Sequence, residues 1–229
     1  MWKTEETLSI NGYSDESEKT LLEFDLFENK DTLVFKKGQV VYFEGSSPQG
    51  IYLIKKGKVK VSKSSCGGRD FITHIATEGD ILSYGDLALN SRHSGSGVAL
   101  EETIIFFIYK RDFQEALKEH PEFFEHFLDK MIIYVRQMEA KASQIAYKPV
   151  RGRLADALLY LDTKFNGMHQ DASEISINRK DLAGLIGTVR ETVNRLLSEF
   201  RADGWIDTDG HKIHILDQKA LKKTSQMYN

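Results

Sequence analysis

Residues 178–200, NRKDLAGLIGTVRETVNRLLSEF, leave this chain few ways to fold. Asn178 is a good helix N-cap, and Asp181 puts negative charge into the first turn. Leu182, Leu185 and Ile186 recur at helical spacing. Ala183 and Gly184 are small, as a helix crossed closely by another must be. Gly187 can take the positive φ that ends a helix in a tight turn. Thr188 then reads as the next N-cap, with Glu191 completing a Thr-x-x-Glu capping box. Val193, Leu196, Leu197 and Phe200 give the second helix an apolar stripe. The pattern is a helix-turn-helix. Residues 205–215 read as two short strands around Asp209-Gly210, and a β-hairpin placed there makes a winged helix.

Arg190, Glu191, Asn194 and Arg195 fall on or near the other side of the second helix, close to its N-terminal end. In a helix-turn-helix that end enters the DNA major groove. Arginine can give two hydrogen bonds to guanine O6 and N7, and glutamate can accept one from cytosine N4. An ordinary helical hairpin with a solvated charged face would show the same two-helix pattern. The β-hairpin after it weighs against that reading.

The segment IGTVRETVNRLLSEFRADGWI closely resembles the DNA-binding segment of the catabolite activator/FNR transcription regulators, and the resemblance extends over nearly the whole chain. In that family an Arg-Glu-x-x-x-Arg trio reads bases. The motif falls here on Arg190, Glu191 and Arg195, with Thr188 and Asn194 as flanking candidates. The family often has Ser before the first arginine; Val189 stands there, which removes a phosphate contact.

The bulk composition does not announce a DNA partner. The 229 residues suit two modest domains, and the net charge is −3. From Val150 onward 12 basic face 11 acidic side chains, so that part carries +1 and the remainder −4. Binding would depend on local placement of Arg151, Arg153, Arg179, Lys180, Arg190, Arg195, Arg201 and Lys212, and should weaken strongly with salt. No apolar run approaches the ~20 residues of a membrane span, and the start MWKTEETLSI is no secretory signal. Cys66 is the sole cysteine, so no intramolecular disulfide can form, and the cytoplasm is the expected location.

From about Leu33 to Lys110 short β-rich runs alternate with glycine, which suggests a sandwich or jelly roll. Residues 50–59 look like the strand-turn-strand signature of cyclic-nucleotide-binding domains, and residues 78–89 resemble that fold's phosphate-binding cassette. Cyclic AMP receptors place Gly-Glu early in the cassette, then Arg-Ser before a valine. Here Gly85-Asp86 fills the first place, one methylene short, and Ser94-Gly95-Ser96 stands where Arg-Ser-Ala should be. A buried cyclic phosphate without its cation loses a charge-assisted hydrogen bond worth about 1.5–3 kcal/mol. Arg92 is near but at the wrong spacing. Ser94, Ser96 and backbone N–H groups could cradle another small ligand; a pocket closed by its own loop carries equal weight. One cysteine cannot ligate an iron–sulfur cluster. His74 and His93 read as surface histidines, and His211 and His214 should point to opposite faces of a strand. No metal site, certain cofactor or catalytic constellation emerges.

Pro121 opens a long helix on which Phe124, Leu128, Met131, Val135, Met138, Ala142 and Ile145 alternate steps of four and three, an a/d seam. Phe123, Phe127 and Tyr134 would serve packing on the helix's own domain instead. The resemblance implies a parallel homodimer through this helix. It also places Met138 and Glu139 where cyclic AMP receptors have Thr and Ser against the adenine, a second departure against cyclic AMP. Pro149 breaks the helix and is the expected hinge.

The sequence thus implies an α+β chain. Residues 1–120 form a sensory jelly roll with flanking helices, 121–148 a dimerisation helix, and 149–229 a winged helix-turn-helix. The function implied is homodimeric regulation of transcription at a palindromic operator, with RNA polymerase as a further partner. The alternative is a cyclic-nucleotide-binding signalling module without specific DNA binding, which would be stabilised by nucleotide and select no palindrome.

Overall fold

The computed structural model describes residues 30–65, 69–88, 91–166 and 174–227. Cys66, Gly67, Gly68, Leu89 and residues 1–29 of the first domain lie outside them.

The glycine-punctuated runs form eight strands in two antiparallel sheets. One sheet has β1 (Lys30–Phe35), β8 (Thr103–Tyr109), β3 (Gly50–Lys56) and β6 (Ile81–Leu82), in that order. The other runs β2 (Val40–Tyr42), β7 (Ser96–Ala99), β4 (Val59–Ser65) and β5 (Arg69–Ala76). Ile54, Val59 and Ile105 are buried between the sheets, and Ile51, Leu53 and Ile108 are buried on the other face, in a cluster with Phe113, Ala116 and Phe123. A one-turn helix, α1 (Tyr84–Ala88), lies in the cassette between β6 and β7. Sequence periodicity does not reveal so short a helix.

Helix α2 (Lys110–Glu119) leads into α3 (Pro121–Tyr147), where the proline takes the first helical position. The two faces of α3 behave differently. Phe123 is fully buried, and Phe127 meets Phe113 and Tyr84 with ring centroids 5.4 and 5.6 Å apart. Tyr134 packs edge-on against His74 at 5.3 Å. On the seam, Phe124, Leu128, Val135 and Ile145 are exposed. One face of the helix therefore packs on its own domain, and the seam residues lie on the other face, open to solvent.

Lys148 before the hinge proline is extended (φ −84°, ψ 129°), as Pro149 requires. The winged helix comes next: α4 (Val150–Asn166), β9 (Glu174–Ser176), α5 (Arg179–Ile186), α6 (Arg190–Ala202), β10 (Ile206–Asp209), β11 (Lys212–Ile215) and α7 (Gln218–Gln226). The expected hairpin is β10–β11, and β9 adds a third strand on β11.

Strand β5 ends its sheet, and an edge strand offers unpaired N–H and C=O groups. The C-terminal helices cover them. Lys141 Nζ of α3 donates to the carbonyls of Ile72 (2.7 Å) and Thr73 (2.8 Å). The Tyr160 hydroxyl of α4 accepts from Ile75 N–H (3.4 Å) and donates to Ile75 O (3.2 Å). Helix α5 can approach because residue 184 is glycine: a Cβ there would lie 2.6 Å from Asp70 O. Lys60 of β4 pairs with the buried Asp181 of α5 at 2.5 Å. Ile72 and Ile75 share one apolar core with Leu154, Leu158, Leu182 and Leu196.

His74 is not the surface histidine that its sequence context suggests. Burial lowers its pKa to about 4, offset in part by Asp80 and assisted by Lys141 and Lys164. The fold therefore holds it neutral, whereas the unfolded chain takes up the proton near pH 6.5. The unfolded state binds more protons between those values, so stability should fall as pH drops from 6.5 towards 4. Urea midpoints at pH 7 and 4.5 check this: His74→Gln should lose less on acidification than the parent. An equal loss would place the titration elsewhere.

Candidate DNA interface and effector cassette

Asn178 caps α5 as its residue type predicts. Its Oδ1 accepts from Asp181 N–H at 2.7 Å, and its Nδ2 donates to Asp181 Oδ2 at 2.7 Å. Gly187 closes the helix in the left-handed region (φ 65°, ψ 51°). Thr188 N–H donates back to Ala183 O at 3.0 Å, which finishes the turn. That bond corrects the expected capping box. Thr188 belongs to the end of α5, so α6 starts one residue later, with Val189 at its N-cap and no side-chain cap bond. Glu191 still lies in the first turn, where its charge complements the helix dipole.

The stripe Val193, Leu196, Leu197 and Phe200 is buried. Arg190, Glu191, Asn194 and Arg195 emerge together on the exposed side of α6. Among the described residues Arg190 has no ion-pair partner. Arg195 Nη1 bonds Glu199 Oε1 at 2.5 Å. This face carries two guanidiniums, a carboxylate and an amide, the donors and acceptors that base edges require.

Most other basic residues of this domain have internal partners. Arg151 pairs with Glu199 (2.6 Å) and Asp203 (2.9 Å) and lies over the Phe200 and Trp205 rings. Arg179 donates to Gly210 O at 3.1 Å. Arg201 pairs with Asp207 at 3.1 Å, Lys212 with Glu174 at 3.1 Å, and Lys180 stands 3.6 Å from Asp70. Arg153 reaches three carbonyls: Ile145 (3.0 Å), Lys148 (3.1 Å) and Gly187 (3.3 Å). Charge counting could not separate these structural cations from those left for a partner.

The junction at Pro149, the expected hinge, is tightly built. Lys148 is buried and pairs with Asp156 at 2.7 Å. Asp156 also bonds the Ser225 hydroxyl of α7. Pro149 is thus bracketed by Lys148 and by Arg153, contacts that its sequence did not disclose.

His93 of the cassette is buried against Tyr42 of β2. Expected at the surface, it is 3% exposed. Its ring stacks on Tyr42 at 4.5 Å, and its Nδ1 lies 3.2 Å from Ser83 Oγ and 3.5 Å from Asp86 Oδ2. Burial lowers the His93 pKa, while Asp86 raises it. Ser83 holds φ 72°, a strained value for a non-glycine residue. Arg92 turns away, its Nη1 donating to Gly45 O at 2.8 Å. Gly85 is exposed.

The Ser94-Gly95-Ser96 run is no open cradle. Gly95 is buried against the Ser62 backbone, Ser96 pairs with Ser62 in the β4–β7 ladder, and Ser96 Oγ accepts from Glu44 N–H at 2.9 Å. The polar groups of Ser96 serve the sheet. Ser94 is exposed. Glu139 is also exposed and Met138 only partly covered. The α3 rings that meet Tyr84 of the cassette are Phe127 and Tyr134. A cleft of about 620 Å³, including its open mouth, lies nearby among His74, Asp80, Tyr84, Tyr134 and Lys164. Among the described residues no His/Cys/Asp/Glu group could hold a metal ion, and no helix is long and apolar enough to cross a membrane.

A β-roll joined by a long helix to a winged helix-turn-helix with an arginine-bearing outer face is the build of a regulator that reads DNA. Residues 32–120 match the family model of the cyclic nucleotide-binding domain, and residues 152–224 match that of the Crp-like helix-turn-helix domain. The chain belongs to the CRP/FNR family of DNA-binding transcription regulators. It is 26% identical to the CRP-like cAMP-activated global transcriptional regulator of Mycobacterium tuberculosis, over 84% of this chain and 87% of that one. It is 26% identical to the anaerobic regulatory protein of Bacillus subtilis, over 84% of each. A CRP/FNR-family transcriptional regulator from Thermus thermophilus shares the fold with a TM-score of 0.75 at 20% identity, covering 87% of this chain and all of that one. The c-di-GMP responsive global regulator CLP of Xanthomonas campestris does so at 0.72 and 18%, covering 81% and 93%.

The left-handed turn is open to a direct check. Gly187→Ala should cost about 1–2 kcal/mol, the penalty of that conformation for a residue with a Cβ. Urea denaturation followed by circular dichroism measures it. An unchanged midpoint would mean that the turn does not hold this geometry in solution.

Proposed function

We propose that the chain acts as a cytoplasmic homodimer that binds a two-fold symmetric DNA site through α6, without using cyclic AMP as its relatives' names imply for them. The observation that carries this is the two-sided α6: an apolar stripe buried in its own domain and Arg190, Glu191, Asn194 and Arg195 together in solvent. Two such helices, one per protomer, would enter successive major grooves about 34 Å apart. Arg190 and Arg195 read guanine, and Glu191 accepts from cytosine.

The bare seam of α3 supports the dimer. Phe124, Leu128, Val135 and Ile145 form an exposed apolar row, costly to leave in water, while the opposite face is satisfied by the roll. The filled cassette supports independence from cyclic AMP: His93 and Tyr42 occupy its interior, and Arg92 faces outward. The relatives' names range from cAMP to anaerobic and c-di-GMP regulation, so family membership does not choose an effector.

Selection of sites from a random DNA pool, with and without cyclic AMP, tests the whole reading. A palindrome should emerge equally in both arms. Enrichment only with the nucleotide would overturn the cassette assignment, and nucleotide-dependent thermal stabilisation without any palindrome would favour the signalling module. On the selected site, Arg190→Ala and Arg195→Ala should each cost about 1–3 kcal/mol and relax preference at one position per half-site. Uniform weakening would sink the base-reading roles. Val135→Glu should halve the mass seen by sedimentation and abolish binding to the palindrome while leaving the circular dichroism spectrum intact.

A further inference from the structure

We infer that Glu199 is the positioning residue for Arg195, and that Arg151 holds Glu199 in place. This rests on the reading of Arg195 as a base-contacting residue. An exposed arginine has several rotatable bonds, and ordering it at a base edge costs entropy unless the protein has already fixed it.

Here the fixing chain is continuous. Arg195 Nη1 bonds Glu199 Oε1 at 2.5 Å. The second oxygen of that carboxylate, Oε2, takes Arg151 Nη1 at 2.6 Å. Arg151 cannot drift, because its Nη2 bonds Asp203 Oδ2 at 2.9 Å and its guanidinium lies 4.8 and 5.1 Å from the Phe200 and Trp205 ring centroids. Phe200 is fully buried. The orientation of Arg195 is thereby tied to the core of the winged helix. The tie uses only Nη1. It leaves the edge made by Nε and Nη2, two parallel donors in one plane, which can match guanine N7 and O6.

The charge balance separates this role from simple attraction. Arg151 and Arg195 against Glu199 and Asp203 sum to zero, so the cluster adds no net charge to the DNA face. Replacing Glu199 by glutamine keeps the shape and removes one negative charge. Non-specific affinity, which follows phosphate neutralisation, should then stay level or rise. Discrimination at the Arg195 base pair should fall. A variant that merely unfolded the domain would lose both.

The test uses the full chain on the palindrome recovered by site selection, with every base pair of the half-site substituted in turn. Glu199→Gln should lower preference about threefold to tenfold at the one position that Arg195→Ala identifies, a span within that of coupled neighbouring charges. Preference at the Arg190 position should not move, and binding to random DNA should not weaken. Arg151→Met should reproduce the pattern in milder form. The double variant Glu199→Gln/Arg195→Ala should discriminate no worse than Arg195→Ala alone. Unchanged or sharper discrimination in Glu199→Gln, or an equal loss at both positions, overturns the positioning role and leaves the base-reading role standing. No loss of discrimination in Arg195→Ala overturns both.

Discussion

The edge of β5 is the constraint on which the arrangement of this molecule turns. A strand that ends a sheet must hide its unpaired backbone groups, and this one does so with the long helix and parts of the winged helix. Lys141 takes two of its carbonyls, Tyr160 takes both groups of Ile75, and α5 lies over Asp70 where Gly184 has no side chain to intrude. Ile72 and Ile75 then belong as much to the winged helix as to the roll. The proline that divides the chain in sequence does not divide its core. A cut at Pro149 would strand apolar surface and open backbone on both pieces.

The same docking explains why a buried ion pair is tolerated between Lys60 and Asp181. Taking both charges from water is expensive, and only close geometry with further hydrogen bonds offsets it. Asp181 has both: the lysine at 2.5 Å and the Asn178 amide at 2.7 Å. One carboxylate thus helps start a helix and fasten it to another domain. Within the roll, the interior beside the cassette is taken by side chains of the chain itself. His93 stacks there on Tyr42, and Ser96 belongs to the sheet.

How much of this was legible in the sequence depended on whether a feature is local. The Asn178 cap, the Gly187 turn, the α6 stripe, the Asp209-Gly210 hairpin and the two faces of α3 follow from residue types at short spacing, and the structure contains them. Thr188 misled because a Thr-x-x-Glu string marks a cap only if the threonine's own backbone is released from the helix before it, and here it is not. Strand β9 has three residues, too few for a periodicity, and α7 carries a single fully buried leucine among lysines. His93 sits between Arg92 and Ser94, polar company that suggests water, yet the chain turns it onto Tyr42. The internal commitments of Arg151, Arg153 and Arg179 are long-range contacts of the fold, and no count of basic residues separates them from arginines that meet a partner.

Arg153 carries a consequence for the hinge. A proline joint by itself permits both bending and swivelling of the domain beyond it. One planar guanidinium reaches the last turn of α3 at Ile145, the joint at Lys148 and the reading-head turn at Gly187. Three anchor points around a flat, rigid fork make a gusset. While it holds, the end of α3, the joint and the turn before α6 share one anchor, so a swivel at Pro149 must break at least one of its hydrogen bonds.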